Sequence, residues 1–252
     1  MTAEIQVARQ WGLTNPGGSR TKTATATAKT PLHSGDGQDR ASHSALTLFG
    51  SWLHPSMSPR TARIERATSE TRIRLNLLID GTGHSAVRTK IPFFDHMLTL
   101  FARHSLVDLE LETDGDIEVD FHHTVEDTGI ALGQAFAQAL GDKRGITRYG
   151  TAYVPMDESL ARAVVDFSGR PFLDYKAPEG VASIGAFSFT LVEEFLRAFS
   201  NHAACNLHLH LLYGRDGHHL AEAAFKSLAR AVDLACRMDP RVQGVPSTKG
   251  TL

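Results

Sequence analysis

The chain has 252 residues, 42% hydrophobic, 21% charged and 8% aromatic, with a formal net charge of −2. That composition builds a globular protein with a sizeable core, in one large domain or two small ones. No apolar run approaches the ~20 residues of a membrane span and no secretory pattern opens the chain. The near-neutral charge lacks the basic excess of a nucleic-acid binder. A cytoplasmic protein with neither membrane nor nucleic-acid partner is expected. Two cysteines, Cys205 and Cys236, exclude a disulfide framework and a thiolate-rich metal site. Histidine is the outlier, with 13 residues, ten of them after residue 57.

Residues 1–56 are rich in Thr, Ser, Gly and Ala, as in Thr21-Lys22-Thr23-Ala24-Thr25-Ala26-Thr27. They carry +2 and leave −4 on the remainder, and they show no apolar period. Such a stretch buries too little surface to offset its ordering entropy, so a disordered extension is expected. Glu4, Asp36 and Asp39 argue against a targeting peptide. An upstream start assigned in error, with Met57 the true one, is the alternative.

From Met57 onward short strands alternate with helices. Arg72 to Leu77 alternates with period two and ends at the Asp80-Gly81-Thr82-Gly83 turn, a weak nucleotide signal without a Walker or dinucleotide pattern behind it. Pro92 opens a helix with Met97, Leu98, Leu100 and Phe101 at helical spacing. Asp108 to Glu112 alternates again, and His123 to Leu140 is a long helix closed by Gly141. The second half runs in the same order: a helix over Phe189 to Phe199, a strand over Asn206 to His210, and a helix over His219 to Cys236.

An internal repeat follows from that order. Asp95-His96-Met97-Leu98 through His104 lies over Glu193-Glu194-Phe195-Leu196 through His202, and Asp108–Glu112 lies over Asn206–His210. His122-His123-Thr124-Val125-Glu126 lies over His218-His219-Leu220-Ala221-Glu222. A His-His-x-x-Glu unit thus occurs twice, each time after a strand and opening a helix.

On a helix, residues i and i+4 share a face, so His122 with Glu126 and His218 with Glu222 can each hold one metal. The adjacent His123 and His219 point about 100° away and serve something else, most simply a second metal. With His96 and its counterpart Glu194, two pseudo-equivalent four-ligand sites follow. One is His122, Glu126, Glu194 and His219; the other is His218, Glu222, His96 and His123. Imidazole and carboxylate without thiolate suit Mn, Fe or Zn, six-coordinate Mn leaving positions open for substrate. A single His-His pair at a helix start is ordinarily a cap, but two copies with upstream partners are hard to obtain by accident. His104 and His202 alone would read as helix-end histidines facing the dipole, and His84, His208 and His210 as surface or strand-edge residues. Arg148, Arg170 and the Ser247-Thr248-Lys249 run supply the residue types of a phosphate clamp.

Taken together, Phe94-Asp95-His96-Met97-Leu98, the two His-His-x-x-Glu units, Asp166-Phe167-Ser168-Gly169-Arg170-Pro171 and Pro246-Ser247-Thr248-Lys249-Gly250 resemble the imidazoleglycerol-phosphate dehydratase family. The resemblance covers about residues 60–252. It implies an α+β fold with a tandem duplicated half, each half a four-stranded β-sheet backed by two α-helices. The halves would run over about 60–145 and 146–240, with a phosphate-binding tail at 241–252. It implies a lyase of L-histidine biosynthesis that dehydrates D-erythro-imidazole-glycerol phosphate to imidazole-acetol phosphate, through an imidazolate stabilised by two Mn2+ per active site. It also implies a homo-oligomer, a 24-mer with active sites at subunit interfaces. Glu70 matches the family's acid–base and substrate-contacting glutamate, and Glu158 stands near the corresponding place in the second half. His104 and His202 match substrate-site histidines, and Arg148, Arg170, Ser247, Thr248 and Lys249 the phosphate grip. Glu194 stands where many members have a histidine ligand. A metal-stapled assembly protein and a di-metal hydrolase are the alternative functions.

Overall fold

The computed structural model describes residues 59–252. The expected extension over 1–56, and the alternative start at Met57, lie outside the described residues. Each half contributes one four-stranded sheet and two helices in the same order. The first runs β1 (Thr61–Ala67), β2 (Thr71–Leu78), β3 (Ser85–Arg88), α1 (Pro92–Ser105), β4 (Asp108–Gly115) and α2 (His122–Leu140). The second runs β5 (Tyr149–Met156), β6 (Ser159–Asp166), β7 (Phe172–Lys176), α3 (Thr190–His202), β8 (Asn206–Tyr213) and α4 (Gly217–Cys236). Strand orders are β1-β2-β4-β3 and β5-β6-β8-β7, antiparallel except for the β3/β4 and β7/β8 pairs. The fold is α+β and duplicated.

Period-two alternation decides which face of each sheet is covered. Ile73, Leu75 and Leu77 of β2, Leu109 and Leu111 of β4, and Leu207, Leu209 and Leu211 of β8 are all buried. Helices α1 and α2 lie on the first sheet and α3 and α4 on the second, while α1 packs on α4 and α2 on α3. The layers are therefore sheet, helices, helices, sheet. Where the helices meet, Phe94, Phe101, Phe136, Phe195, Phe199 and Phe225 are fully buried. Phe101 and Phe199 meet edge to face at 6.3 Å between centroids, as Phe136 and Phe199 do at 5.6 Å. Burying such a ring is worth about 1.5–3 kcal/mol relative to exposing it, so these side chains fasten the halves together.

Close approach of α2 to α3 rests on absent side chains. A Cβ on Gly133 would stand 2.7 Å from the Phe199 carbonyl oxygen, and one on Gly129 2.9 Å from that of Phe195. The repeat extends to the helix starts. Asp216 caps α4 by accepting from the His218 and His219 backbone N–H groups at 2.8 and 3.2 Å, and Asp120 accepts from that of His122 at 2.7 Å. Each Asp lies two residues before its His-His pair, so the cap fixes where the histidines sit on the first turn.

Candidate metal-dependent active site

Three expected ligands meet within one chain, across the two halves. His96 comes from α1; His218 and Glu222 come from the first turns of α4. Glu222 Oε1 lies 3.1 Å from His96 Nε2 and 3.0 Å from His218 Nε2, and one ligand atom from each residue lies within 4.8 Å of the others. Phe93 presents its ring to His218 at 5.2 Å between centroids and closes one side. Glu222 is buried, whereas the histidines are half-exposed, so the group opens to the surface.

Burial alone would push the Glu222 carboxyl up. Donation from Lys226, then from His96 and His218, instead brings it down to about 2. Lys226 Nζ sits 2.5 Å from Glu222 Oε2, so the carboxylate is ionised and aimed before any metal arrives. Lys226 escapes a sequence reading that looks for metal ligands. Its only signal is the i+4 spacing from Glu222, and the first half has Ile130 at the matching place.

His123 and His219 are oriented by carboxylates. His123 Nδ1 lies 3.1 Å from Asp116 Oδ2, and His219 Nδ1 lies 2.7 Å from Glu158 Oε2. A carboxylate only accepts, so each Nδ1 carries the proton and each Nε2 keeps its lone pair for a metal. The Asp116 hydrogen bond raises the His123 pKa and the Glu158 hydrogen bond that of His219. His123 Nε2 then faces Glu70 at 3.9 Å and His219 Nε2 faces Asp157 at 3.7 Å. Neither ring joins the His96 group, although His123 was expected there.

The expected second set is only partly gathered. His122 Nε2 lies 3.7 Å from Glu126 Oε2, both half-exposed. Glu194 is half-buried on α3 and makes no hydrogen bond or ion pair among the described residues. One chain thus offers a three-ligand group, a His–Glu pair, and two oriented histidines directed elsewhere.

The two glutamates at the hairpin tips differ. Glu70 carries its side chain free of hydrogen bonds among the described residues, while its backbone carbonyl accepts from Asp116 N at 3.1 Å. The Glu158 carboxylate accepts from Asp216 N, His219 and Arg215 N, which drive its pKa far below the usual range. The Glu70 hairpin is pinned by Asp127, whose carboxylate accepts from Arg66 at 2.7 Å and from the Thr71 hydroxyl.

The basic candidates converge at one end of the second sheet. Arg148 Nε and Nη2 grip Asp166 at 2.6 and 3.0 Å, and Nη1 donates to the Pro246 carbonyl at 2.9 Å. The tail also runs past the Gly169 turn, where a Cβ would meet the Leu252 carbonyl carbon at 2.6 Å. Arg170, Thr248 and Lys249 are exposed there, and Ser247 accepts from Lys249 N. Arg148 spends most of its donors inside the protein and ties the tail down, a role its sequence context does not reveal. His104 is held neutral by burial and by the charges of Lys226 and Arg230. His202 donates from Nδ1 to the Ala198 carbonyl at 2.9 Å.

Known proteins share this geometry's sequence frame. The family model described as imidazoleglycerol-phosphate dehydratase matches residues 89–232. The chain belongs to the imidazoleglycerol-phosphate dehydratase family. It is 61% identical over 193 residues to the dehydratase of Trichlorobacter lovleyi, covering 77% of this chain and 99% of that protein. The one from Pelobacter propionicus gives the same figures. Among solved structures, the Staphylococcus aureus dehydratase is 39% identical with a TM-score of 0.65, over 71% of this chain and 99% of its own. The Pyrococcus furiosus enzyme, solved in complex with (S)-C348, is 33% identical with the same TM-score, over 75% of this chain and all of its own. Membership of this dehydratase family makes the chain an enzyme, a hydro-lyase. No helix among the described residues is long and apolar enough to cross a membrane.

Proposed function

We propose that the chain removes water from D-erythro-imidazole-glycerol phosphate to give imidazole-acetol phosphate, a step of L-histidine biosynthesis, with two Mn2+ at each active site. The carrying observation is the oriented donor set: His96, His218 and Glu222 converging, with His123 and His219 each held by a carboxylate so that Nε2 is free. Nitrogen and oxygen donors without sulfur fit manganese. When bound, the ions supply a Lewis-acidic hold on the substrate's imidazole ring and ease its loss of a proton.

The rest falls to side chains of this protein. Glu70, whose carboxylate makes no hydrogen bond among the described residues, moves protons at the substrate carbon; removing that hydrogen unaided would face a prohibitive pKa gap. Glu158, fully engaged, keeps His219 in its ligating tautomer. Arg170, Thr248 and Lys249 carry exposed donors for the phosphate, and Arg148 positions Ser247 beside them through Pro246. His104, kept neutral, and His202, with Nε2 free, line the substrate side.

His123, His219 and Glu194 stand apart from the three-ligand group, so a second copy of the chain supplies what each centre lacks. This favours a homo-oligomer with active sites between subunits, the 24-mer being the expected particle and the cytoplasm its place. The deciding experiment incubates metal-free protein with Mn2+ and imidazole-glycerol phosphate while product absorbance and light scattering are followed. Turnover appearing with growth in mass supports the reading. Assembly without product would favour a metal-stapled structural protein, and constant mass would make the sites intrasubunit.

A further inference from the structure

The outer face of the second sheet carries another group of ligand-type side chains, which no part of the proposed reaction uses. His208 and His210 lie two apart on β8 and therefore share a face. Asp174 is the β7 residue paired with His208. Asp174 Oδ2 lies 3.3 Å from His208 Nδ1 and 2.7 Å from His210 Nε2. One ligand atom from each of the three falls within 4.8 Å of the others. The intervening Leu207, Leu209 and Leu211 are buried on the helix side, so the group faces away from the His96 centre.

Duplication does not require this cluster. In the first sheet the register sets Ala86 opposite Glu110, as it sets Asp174 opposite His208. The matching residues there are Ala86, Glu110 and Glu112, which offer no imidazole at all. Of the two sheets as described, only the second carries two rings converging on one carboxylate oxygen, with His210 only 12% exposed.

We propose that Asp174, His208 and His210 form a binding site for a late first-row divalent cation of the zinc type, separate from the reaction centre. Two imidazoles and a carboxylate are the donor set of three-ligand zinc sites that leave a position to water. Without metal the site is closed by Arg162, whose Nη2 donates to His210 Nδ1 at 2.6 Å. That keeps the ring proton on Nε2, where it faces Asp174 and holds its carboxyl below the ordinary range. Cation entry moves the proton from Nε2 to Nδ1 and requires Arg162 to turn away. Among the described residues, Arg162 Nε is buried without a partner and one hydrogen bond resists the turn. Lys176 Nζ, 3.9 Å from Asp174, is the other charge that the cation displaces. The site is thus gated by a competing guanidinium.

The test is Zn2+ stoichiometry and Co2+ absorption on the full-length protein at neutral pH. Wild type should retain one more Zn2+ per chain than His208→Asn or Asp174→Asn. The tetrahedral Co2+ bands of this site should persist in His218→Ala and vanish in His208→Asn. Arg162→Met should reach half-saturation at lower Zn2+ than wild type, and His208→Asn should turn over normally at saturating Mn2+. Equal stoichiometry in wild type, His208→Asn and Asp174→Asn, all with unchanged circular dichroism, would overturn the inference. It would leave the reading of the reaction centre untouched, because that reading stands or falls on His218→Ala and turnover.

Discussion

Replacing Lys226 by Met separates the two jobs of the charge beside Glu222. Both side chains are largely buried, with 17% and 8% exposed, and their atoms meet at 2.5 Å. A hydrogen bond between charged groups is worth about 1.5–3 kcal/mol, and Met keeps most of the Lys volume. For a folded unit of about 190 residues that loss lowers Tm by roughly 3–12 °C, at 2–4 °C per kcal/mol. His96 and His218 continue to donate, which places the result in the lower half of that range. The measurement is thermal unfolding in EDTA at fixed protein concentration, repeated with Mn2+. A divalent ion on Glu222 replaces the missing charge, so the deficit should shrink when metal is added. The pH dependence has a definite sign. A carboxyl depressed to about 2 stabilises the fold above its unfolded value of about 4.3, and this is lost as pH falls towards 2. The gap between Lys226→Met and wild type should close over that window. An unchanged Tm in EDTA, or a gap that is constant down to pH 3, would refute the assignment of Lys226 as the group that keeps Glu222 ionised.

Other perturbations follow from the same geometry. In metal-free protein, Glu158→Gln should bring the His219 pKa back down towards about 6.5 by NMR titration. Because that pKa is raised in the fold, its stabilisation is present below about 6.5 and lost as pH rises through the folded value, so the variant's deficit should be larger at pH 6 than at pH 9. Gly150→Ala would set a Cβ 1.8 Å from the Ala231 carbonyl oxygen, costing about 3 kcal/mol or more by denaturant unfolding. Gly141→Ala meets nothing within 4 Å, but its φ of +52° and ψ of −124° lie outside the left-handed well, so backbone strain alone should cost about 1–3 kcal/mol. Arg148→Ala should release the tail, read as faster proteolysis after Val245 with the rest of the domain intact.

The helices were legible because apolar residues recur at helical spacing: Met97, Leu98 and Phe101 within little more than one turn of α1, and Val125, Leu132 and Phe136 over about three turns of α2. Strands were legible where alternation is clean, as in β2, β4 and β8. β3 has only four residues and β5 is interrupted by Gly150 and Pro155, so neither stood out. Metal ligands showed through because a duplicated five-residue unit survives inspection of the bare chain. Their supporting residues did not: Asp116 and Asp127 act across folded distances that no spacing encodes, and Lys226 shows only as an i+4 spacing from Glu222. The hold of Arg148 on Asp166 and Pro246 was hidden in the same way, since a guanidinium that ties down a tail and one that reaches for phosphate look alike in sequence. The strand histidines were passed over because two rings at i and i+2 mean little until β7 brings Asp174 beside them.

The pairing of α1 with α4 and of α2 with α3 makes each half depend on the other. A polypeptide ending near Gly141 would expose Phe94, Phe101 and Phe136 along with the glycine-lined groove of α2, and could shelter them only against another copy of itself. The residues that now converge as His96, His218 and Glu222 would then have met between two molecules. Within one chain, their meeting is fixed by covalent connection and does not depend on concentration. Fragments divided in the 141–148 connection should accordingly remain insoluble alone and regain the fold on mixing.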